Sequence, residues 1–299
     1  MSFRSRLRRS MPGYVFLTPW FIGFFLLSIF PILASLYLSF TEYDTVRPPE
    51  WIGLENYQYM FEFDYRFWQA LKVTFTFVFL SVPAKLTFAL IVAMMLDKGI
   101  RAVGLYRALF YLPSILGGSI AVAILWRQLF NADGVVNSAL KLIGIQGPYW
   151  LSDPSYSLYT LVVLAVWQFG SPMLIFLAGL RAIPQDLYEA AEIDAATPMR
   201  KFFAITVPML APVIFFNLVL QMIDAFKSFS GAFIISGGTG APLDSLLFYT
   251  VYLFTEAFSY FRMGYASALG WVLLVIIAVF TAIAFWSSKY WVHYENERG

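Results

Sequence analysis

The chain has 299 residues, 60% of them hydrophobic and only 13% charged, against about 25% charged in an ordinary soluble domain. Such a composition cannot give a soluble globule of this size a polar surface; it points to an all-α, polytopic membrane protein whose many aromatic rings suit a lipid interface. The absence of Cys and the presence of a single His, His293, argue against disulfides, thiolate metal sites, thiol catalysis and a Ser–His triad, and a net charge of +2 gives no reason to expect nucleic acid.

A helix crossing about 30 Å of hydrocarbon needs about 20 mostly apolar residues. Six stretches qualify: Tyr14 to Phe40, Ala70 to Leu96, Leu105 to Leu125, Ser157 to Leu180, Val207 to Ile235 and Tyr265 to Trp286. Basic residues followed by an apolar stretch also fit a signal peptide, but this stretch is too long for an h-region and no small-residue cleavage site follows, so the first span is expected to be retained. No internal repeat is visible, and residues 1–299 read as one membrane domain.

Lys and Arg set the orientation. With the N-terminus inside, the inner segments carry Arg4, Arg6, Arg8, Arg9, Lys98, Arg101, Arg107, Arg181, Arg200, Lys201, Lys289 and Arg298. The outer segments carry Arg47, Arg66, Lys72, Arg127, Lys141 and Arg262. This two-to-one bias places both termini in the cytoplasm.

The most informative inner segment runs from Ile183 to Pro212. Asp186 followed by Glu189 has capping-box spacing, so a short helix is expected to begin there. Thr197-Pro198 is a second start signal, a hydroxyl at the N-cap with Pro at the first helical position. Two short helices lying under the membrane are expected, with a break around Ala195 to Thr197.

The string Glu189-Ala190-Ala191, then Asp194, Phe202, Ile205 and Pro208, resembles the EAA loop of the permease subunits of binding-protein-dependent ABC sugar importers, the MalF/UgpA-like branch. Pro31-Ile32-Leu33-Ala34-Ser35-Leu36, Gly53-Leu54-Glu55-Asn56-Tyr57 and Tyr265-Ala266-Ser267-Ala268 support the resemblance. It implies the type I importer fold, six transmembrane helices with a cytoplasmic coupling helix inside residues 183–208. Glu189, Ala190, Ala191, Asp194, Ala195 and Phe202 would dock into a separate ATPase subunit. The family usually has Gly where this chain has Ala195. A left-handed turn is costly for Ala, so the break is expected one or two residues later, at Thr197-Pro198. The competing reading of the segment is an amphipathic linker helix at the membrane surface. No Gly-x-x-x-x-Gly-Lys-Ser/Thr string occurs, so this chain cannot cradle ATP phosphates by the usual loop; the resemblance implies that ATP and Mg belong to partner ATPase subunits and that this chain is not itself an enzyme.

Charged groups at membrane depth are expected to face a cavity or a partner. Asn217, Gln221, Asp224 and Ser228 share one helix face in the fifth span, and Lys227 lies three residues from Asp224, within reach of an ion pair. The fourth span adds Trp167, Gln168 and Ser171, with Gly170 and Pro172 set to disturb the helix; the second adds Ser81 and Lys85 around Pro83. These groups suit a sugar, sugar derivative or polyol, with Trp167 stacking on an apolar sugar face. The alternative is that the stripe cements helices or a second permease chain. Lys85 and Lys227 against Asp224 leave one positive charge, which suits an anionic sugar.

The outer loop at Gly237, Gly238 and Thr239 is expected to be flexible; by resemblance it faces an extracytoplasmic solute-binding protein, though it also reads as a plain turn. The resemblance further implies a second permease chain, two cytoplasmic ATPase subunits and surrounding membrane lipid. The competing functions are an ion-coupled secondary transporter using Asp224, for which no pair of interrupted spans in two halves is apparent, and a membrane enzyme, for which acid, base and metal ligands are too few.

Overall fold

The computed structural model describes residues 16–99 and 102–292. Tyr14, Arg4, Arg6, Arg8, Arg9, Arg101, His293 and Arg298 lie outside the described residues. In chain order come α1 (Phe16–Leu38), a two-residue antiparallel pair β1 (Thr41–Glu42) and β2 (Glu50–Trp51), α2 (Glu55–Glu62) and α3 (Tyr65–Asp97). Next are α4 (Val103–Leu116), α5 (Ile120–Leu129), α6 (Val135–Leu142), α7 (Pro154–Trp167), α8 (Gly170–Ala182) and α9 (Gln185–Ile193). The last are α10 (Pro198–Lys201), α11 (Val207–Phe226), α12 (Ser230–Ile235), α13 (Tyr249–Phe254) and α14 (Met263–Trp291).

Four helical stretches are long and apolar enough to cross a membrane: α1, α3, residues 198–235 and α14. Two bent pairs bring the number to six, α4 with α5 at 99° and α7 with α8 at 44°. The six apolar stretches in the sequence are therefore all present, but the third and fourth are broken rather than continuous. The fourth breaks at Gln168 and Phe169, just before the Gly170 and Pro172 expected to disturb it. The fifth is also interrupted, at Lys227 to Phe229, so the expected single stripe ends one residue before Ser228.

Proline explains two wide turns. Pro31 and Pro208 lack the N–H that would bond four residues back. Just before each, the helix winds into a π turn, Phe25–Ile29 and Phe202–Thr206, closed by Phe30 N–H to Phe25 O and by Val207 N–H to Phe202 O.

Two compact units divide the chain, residues 1–64 with 256–273 and residues 65–255 with 274–299. In the first, Asn56 donates its side-chain amide to Ser39 O and Thr41 O at 3.0 Å, and Tyr57 donates its hydroxyl to Ser39 Oγ at 2.9 Å. The Tyr265 hydroxyl donates to Asp64, and the Arg262 guanidinium lies over the Tyr59 and Tyr265 rings. The family-like strings around Asn56 and Tyr265 thus lock this unit together.

The second unit holds the principal packing. Val82, Leu86, Ala89 and Ala93 of α3 meet Met173, Phe176 and Leu177 of α8 and Leu210 and Phe226 of α11. A second cluster joins Val73 and Phe77 of α3 to Trp126, Leu161, Leu164, Ala232 and Phe248. Between membrane helices the driving force is close packing rather than exclusion of water, and small residues permit it. Gly179 shows this: a Cβ there would meet side-chain carbons of Leu210 and Val213 at 2.9 Å.

Candidate functional site

A cavity of about 540 Å³ opens in the second unit, where three helix breaks converge. Phe77, Ser81, Val82 and Lys85 of α3 form one wall; their spacing puts them on a single helix face. Ser114, Gly117 and Gly118 come from the break between α4 and α5. Leu161, Leu164 and Gln168 come from α7 and its end, and Ser171 from the first turn of α8. Gln221 and Asp224 of α11 and Lys227, Ser228 and Phe229 after it complete the lining. The volume lies in the range of small-molecule sites.

The third and fourth spans touch at their breaks. A Cβ on Gly170 would lie 2.2 Å from Phe110 O, so that position needs glycine for the approach, while one on Gly117 would lie 2.2 Å from Gln168 Cδ and would displace that side chain. The backbone groups freed by the bends find partners. Ser114 Oγ donates to Gln168 O and accepts from Ser171 N–H, both at 2.9 Å, while Gln168 Nε2 donates to Gly117 O at 3.3 Å. A broken helix at membrane depth is tolerated where such groups are re-satisfied or face a cavity.

Of the residues the sequence nominates for substrate, Lys85, Gln168, Ser171, Gln221, Asp224 and Lys227 line this cavity. Lys227 Nζ stands 4.0 Å from Asp224 Oδ1, with both side chains more than half exposed. Two nominated residues stand elsewhere. Trp167 is not among the lining residues and packs its ring against Trp126 at 5.9 Å, within the second apolar cluster. Asn217 is fully buried with neither side-chain polar atom hydrogen-bonded, one helical turn before Gln221. Ser114, Gly117, Gly118 and Ser230 were not nominated; the Gly-Gly pair inside an apolar run was the one available signal.

The inner segment departs from expectation at two points. The capping box does not form: α9 starts at Gln185 with Pro184 at the N-cap and no side-chain cap. Proline already fixes the backbone of the entry and stops α8. The left-handed residue is Ala195 itself, φ 52°, and not a position at Thr197-Pro198. Ala196 N–H bonds Ala191 O at 2.9 Å and Ala195 N–H bonds Glu192 O at 3.0 Å, the paired bonds of a Schellman motif. Thr197 then accepts from Arg200 N–H at 3.3 Å, the cap expected of it, and starts a helical run that continues into the fifth span.

Tyr188 and Thr206 share a hydroxyl–hydroxyl bond of 2.9 Å, which ties α9 to the foot of the fifth span. Lys201 donates to Glu192 at 2.8 Å across the break and holds that carboxyl below its ordinary range. Glu189, Ala190, Asp194 and Ala195 are exposed, Ala191 and Phe202 half-buried. Leu187, Ile193, Met199 and Phe203 are exposed beside them. The result is a braced surface, apolar with an acidic margin, of the kind that accepts a partner.

The outer turn at Gly237 to Thr239 is tied rather than loose. Gly238 N–H bonds Phe233 O at 2.7 Å, Arg66 Nη2 donates to Thr239 O at 3.2 Å, and Arg66 pairs with Asp244 at 2.9 Å. Its glycines are required by their backbone, with φ 65° at Gly237 and 80° at Gly238.

The apolar candidate spans, a polar-lined cavity in the second unit and a braced segment between two of the spans are features of a membrane protein built around a polar solute. Comparison with known proteins fixes the class. Over residues 59–292 the chain matches the family described as binding-protein-dependent transport system inner membrane component, and it belongs to that family. It is 53% identical over 295 residues, 98% of this chain and 96% of the relative, to the probable ABC transporter permease protein YesP of Bacillus subtilis. It is 33% identical to the lactose transport system permease protein LacF of Rhizobium radiobacter, over 96% of this chain and 97% of the relative. A chain of a bacterial alginate ABC transporter, solved with a periplasmic protein carrying an alginate pentasaccharide, shares the fold at a TM-score of 0.80. That match is 22% identical and covers 96% of this chain and 97% of the other. The chain is thus the permease component of an ABC importer, and in this family the ATPase resides on a separate subunit.

Proposed function

We propose that this permease carries a sugar, sugar derivative or polyol through the 540 Å³ cavity, inward across a bacterial cytoplasmic membrane with both termini inside. The observation that carries the reading is the convergence of Gln168, Ser171, Gln221 and Asp224 on one cavity at membrane depth. Paired amide and carboxylate groups match adjacent hydroxyls, and a buried polar group is retained at such depth where it has a ligand to meet. The lactose permease relative supports the substrate class.

The chain supplies half of the path, and a second, homologous permease supplies the rest. A solute-binding protein delivers the sugar at the outer face, where the Gly237, Gly238 and Thr239 turn meets it. Two ATPase subunits bind ATP and Mg and close on each other. Residues 183–208, with Glu189, Ala190, Ala191, Asp194, Ala195 and Phe202, transmit that closure to the fifth span through Tyr188–Thr206 and Thr197. The partners bind the inward- and outward-facing states unequally, and that difference drives the switch.

Vesicles holding the complete importer test the reading against a panel of labelled mono- and disaccharides. At least one is expected to be taken up, and Gln221→Leu is expected to lower its uptake about tenfold without loss of any subunit. Uptake of none, or full uptake by the variant, contradicts it.

A further inference from the structure

We propose that the cavity selects saccharides bearing an anionic group, a carboxylate or sulfonate, and that Lys85 receives it. This rests on the reading of the cavity as the substrate site and narrows it.

Three titratable side chains line the cavity, Lys85, Asp224 and Lys227, two cations against one anion. Asp224 stands 4.0 Å from Lys227. Lys85 has no carboxylate within 4.0 Å among the described residues. Asp224 can neutralise one lysine, so one positive charge remains inside a path that crosses lipid. Lys85 lies deep in the 33-residue α3, twelve residues before its inner end at Asp97. A rise of about 1.5 Å per residue puts it about 18 Å from that end, too far for its stem to carry the ammonium to water there. The side chain is partly buried and its direction is the cavity. A charge held at such depth is paired, and a protein that leaves it unpaired in its own fold reserves it for a ligand or partner.

The surroundings favour a ligand. Ser81, one turn from Lys85 on the same face, is a buried hydroxyl on the wall. Gln221 is 8% exposed, lines the cavity and has no hydrogen-bond partner among the described residues. Gln168 has its Nε2 engaged by Gly117 O, which leaves its carbonyl oxygen to accept from a hydroxyl. An anionic sugar supplies both demands at once, a charge for Lys85 and hydroxyls for the amides. A neutral sugar meets only the second.

The test uses the complete importer in lipid nanodiscs with two probes, cellobiose and its counterpart in which one hydroxymethyl is a carboxylate. Calorimetry is expected to show the acid binding about tenfold tighter than cellobiose. Lys85→Met is expected to remove that preference, so that the two probes bind alike, and Lys85→Arg to keep it. Equal binding of the two probes, or binding of cellobiose alone, overturns the proposal and leaves the saccharide reading standing. Binding of neither overturns both. A Lys85→Met particle that loses its second permease chain makes Lys85 a subunit contact and also overturns it.

Discussion

Ala195 sits in a conformation that an L side chain enters at a cost of about 1 kcal/mol, and the segment between α9 and α10 keeps it because both Schellman bonds depend on that turn. Ala195→Gly is therefore expected to slow hydrogen exchange at Ala196 by about fivefold, a gain of about 1 kcal/mol; unchanged or faster exchange contradicts it. Asn217 presents a different residue-level cost. Its amide is fully buried and unbonded, a penalty of about 1–3 kcal/mol. Asn217→Leu is expected to raise the unfolding temperature of the importer in detergent, and a fall would show that the amide has a partner in the assembly. The helical stripe in the sequence gave the right face for Gln221 and Asp224. It could not separate Asn217, one turn earlier, because helical spacing says nothing of where a cavity ends. Trp167 misled for a related reason: chain neighbours of a polar residue point to other sides of the helix, and its ring found Trp126.

At the scale of elements, apolar length located four helical spans and both bent pairs, while it carried no sign of the bends. The 99° turn between α4 and α5 and the 44° turn between α7 and α8 depend on Ser114 and Gln168 re-satisfying backbone groups across two helices. Those are tertiary bonds; the local signatures were Gly170 and Pro172, which marked the disturbed fourth span, and Gly117-Gly118 in the third. The inner segment was more legible, since Thr197-Pro198 carries its cap in its own side chain. The capping box failed because Pro184 already sets the helix entry. Across the break, the Lys201 hydrogen bond and charge hold the Glu192 carboxyl below its ordinary 4.5. A carboxyl depressed in the folded state adds stability at neutral pH, which is lost as pH falls from about 4.5 through its lowered value. The Glu192 side chain is exposed and that of Lys201 half-buried, so the clasp is also expected to weaken with salt, though less than a fully exposed pair. Lys201→Met is expected to speed hydrogen exchange at Ala195 to Thr197 at pH 7 and to make exchange there insensitive to salt; a rate equal to that of the unchanged protein would show that the Schellman bonds alone hold the turn.

For the whole molecule, the division of labour follows from what the chain carries. It has a cavity with polar lining and a braced loop with Glu189, Leu187 and Ile193 exposed, and no phosphate-cradling Gly-rich loop in its sequence. Membership of the binding-protein-dependent family sets the energy source outside the chain. The rival source, an ion gradient acting through Asp224, makes a distinct prediction because it needs no nucleotide. The decisive measurement is saccharide accumulation in proteoliposomes containing the complete importer and its binding protein, with ATP sealed on the ATPase side and proton and sodium gradients imposed separately. Accumulation is expected only with ATP, to be blocked by vanadate and to be abolished by Glu189→Lys in particles that retain every subunit. Accumulation driven by either gradient without nucleotide, or full transport by the Glu189→Lys importer, would contradict it.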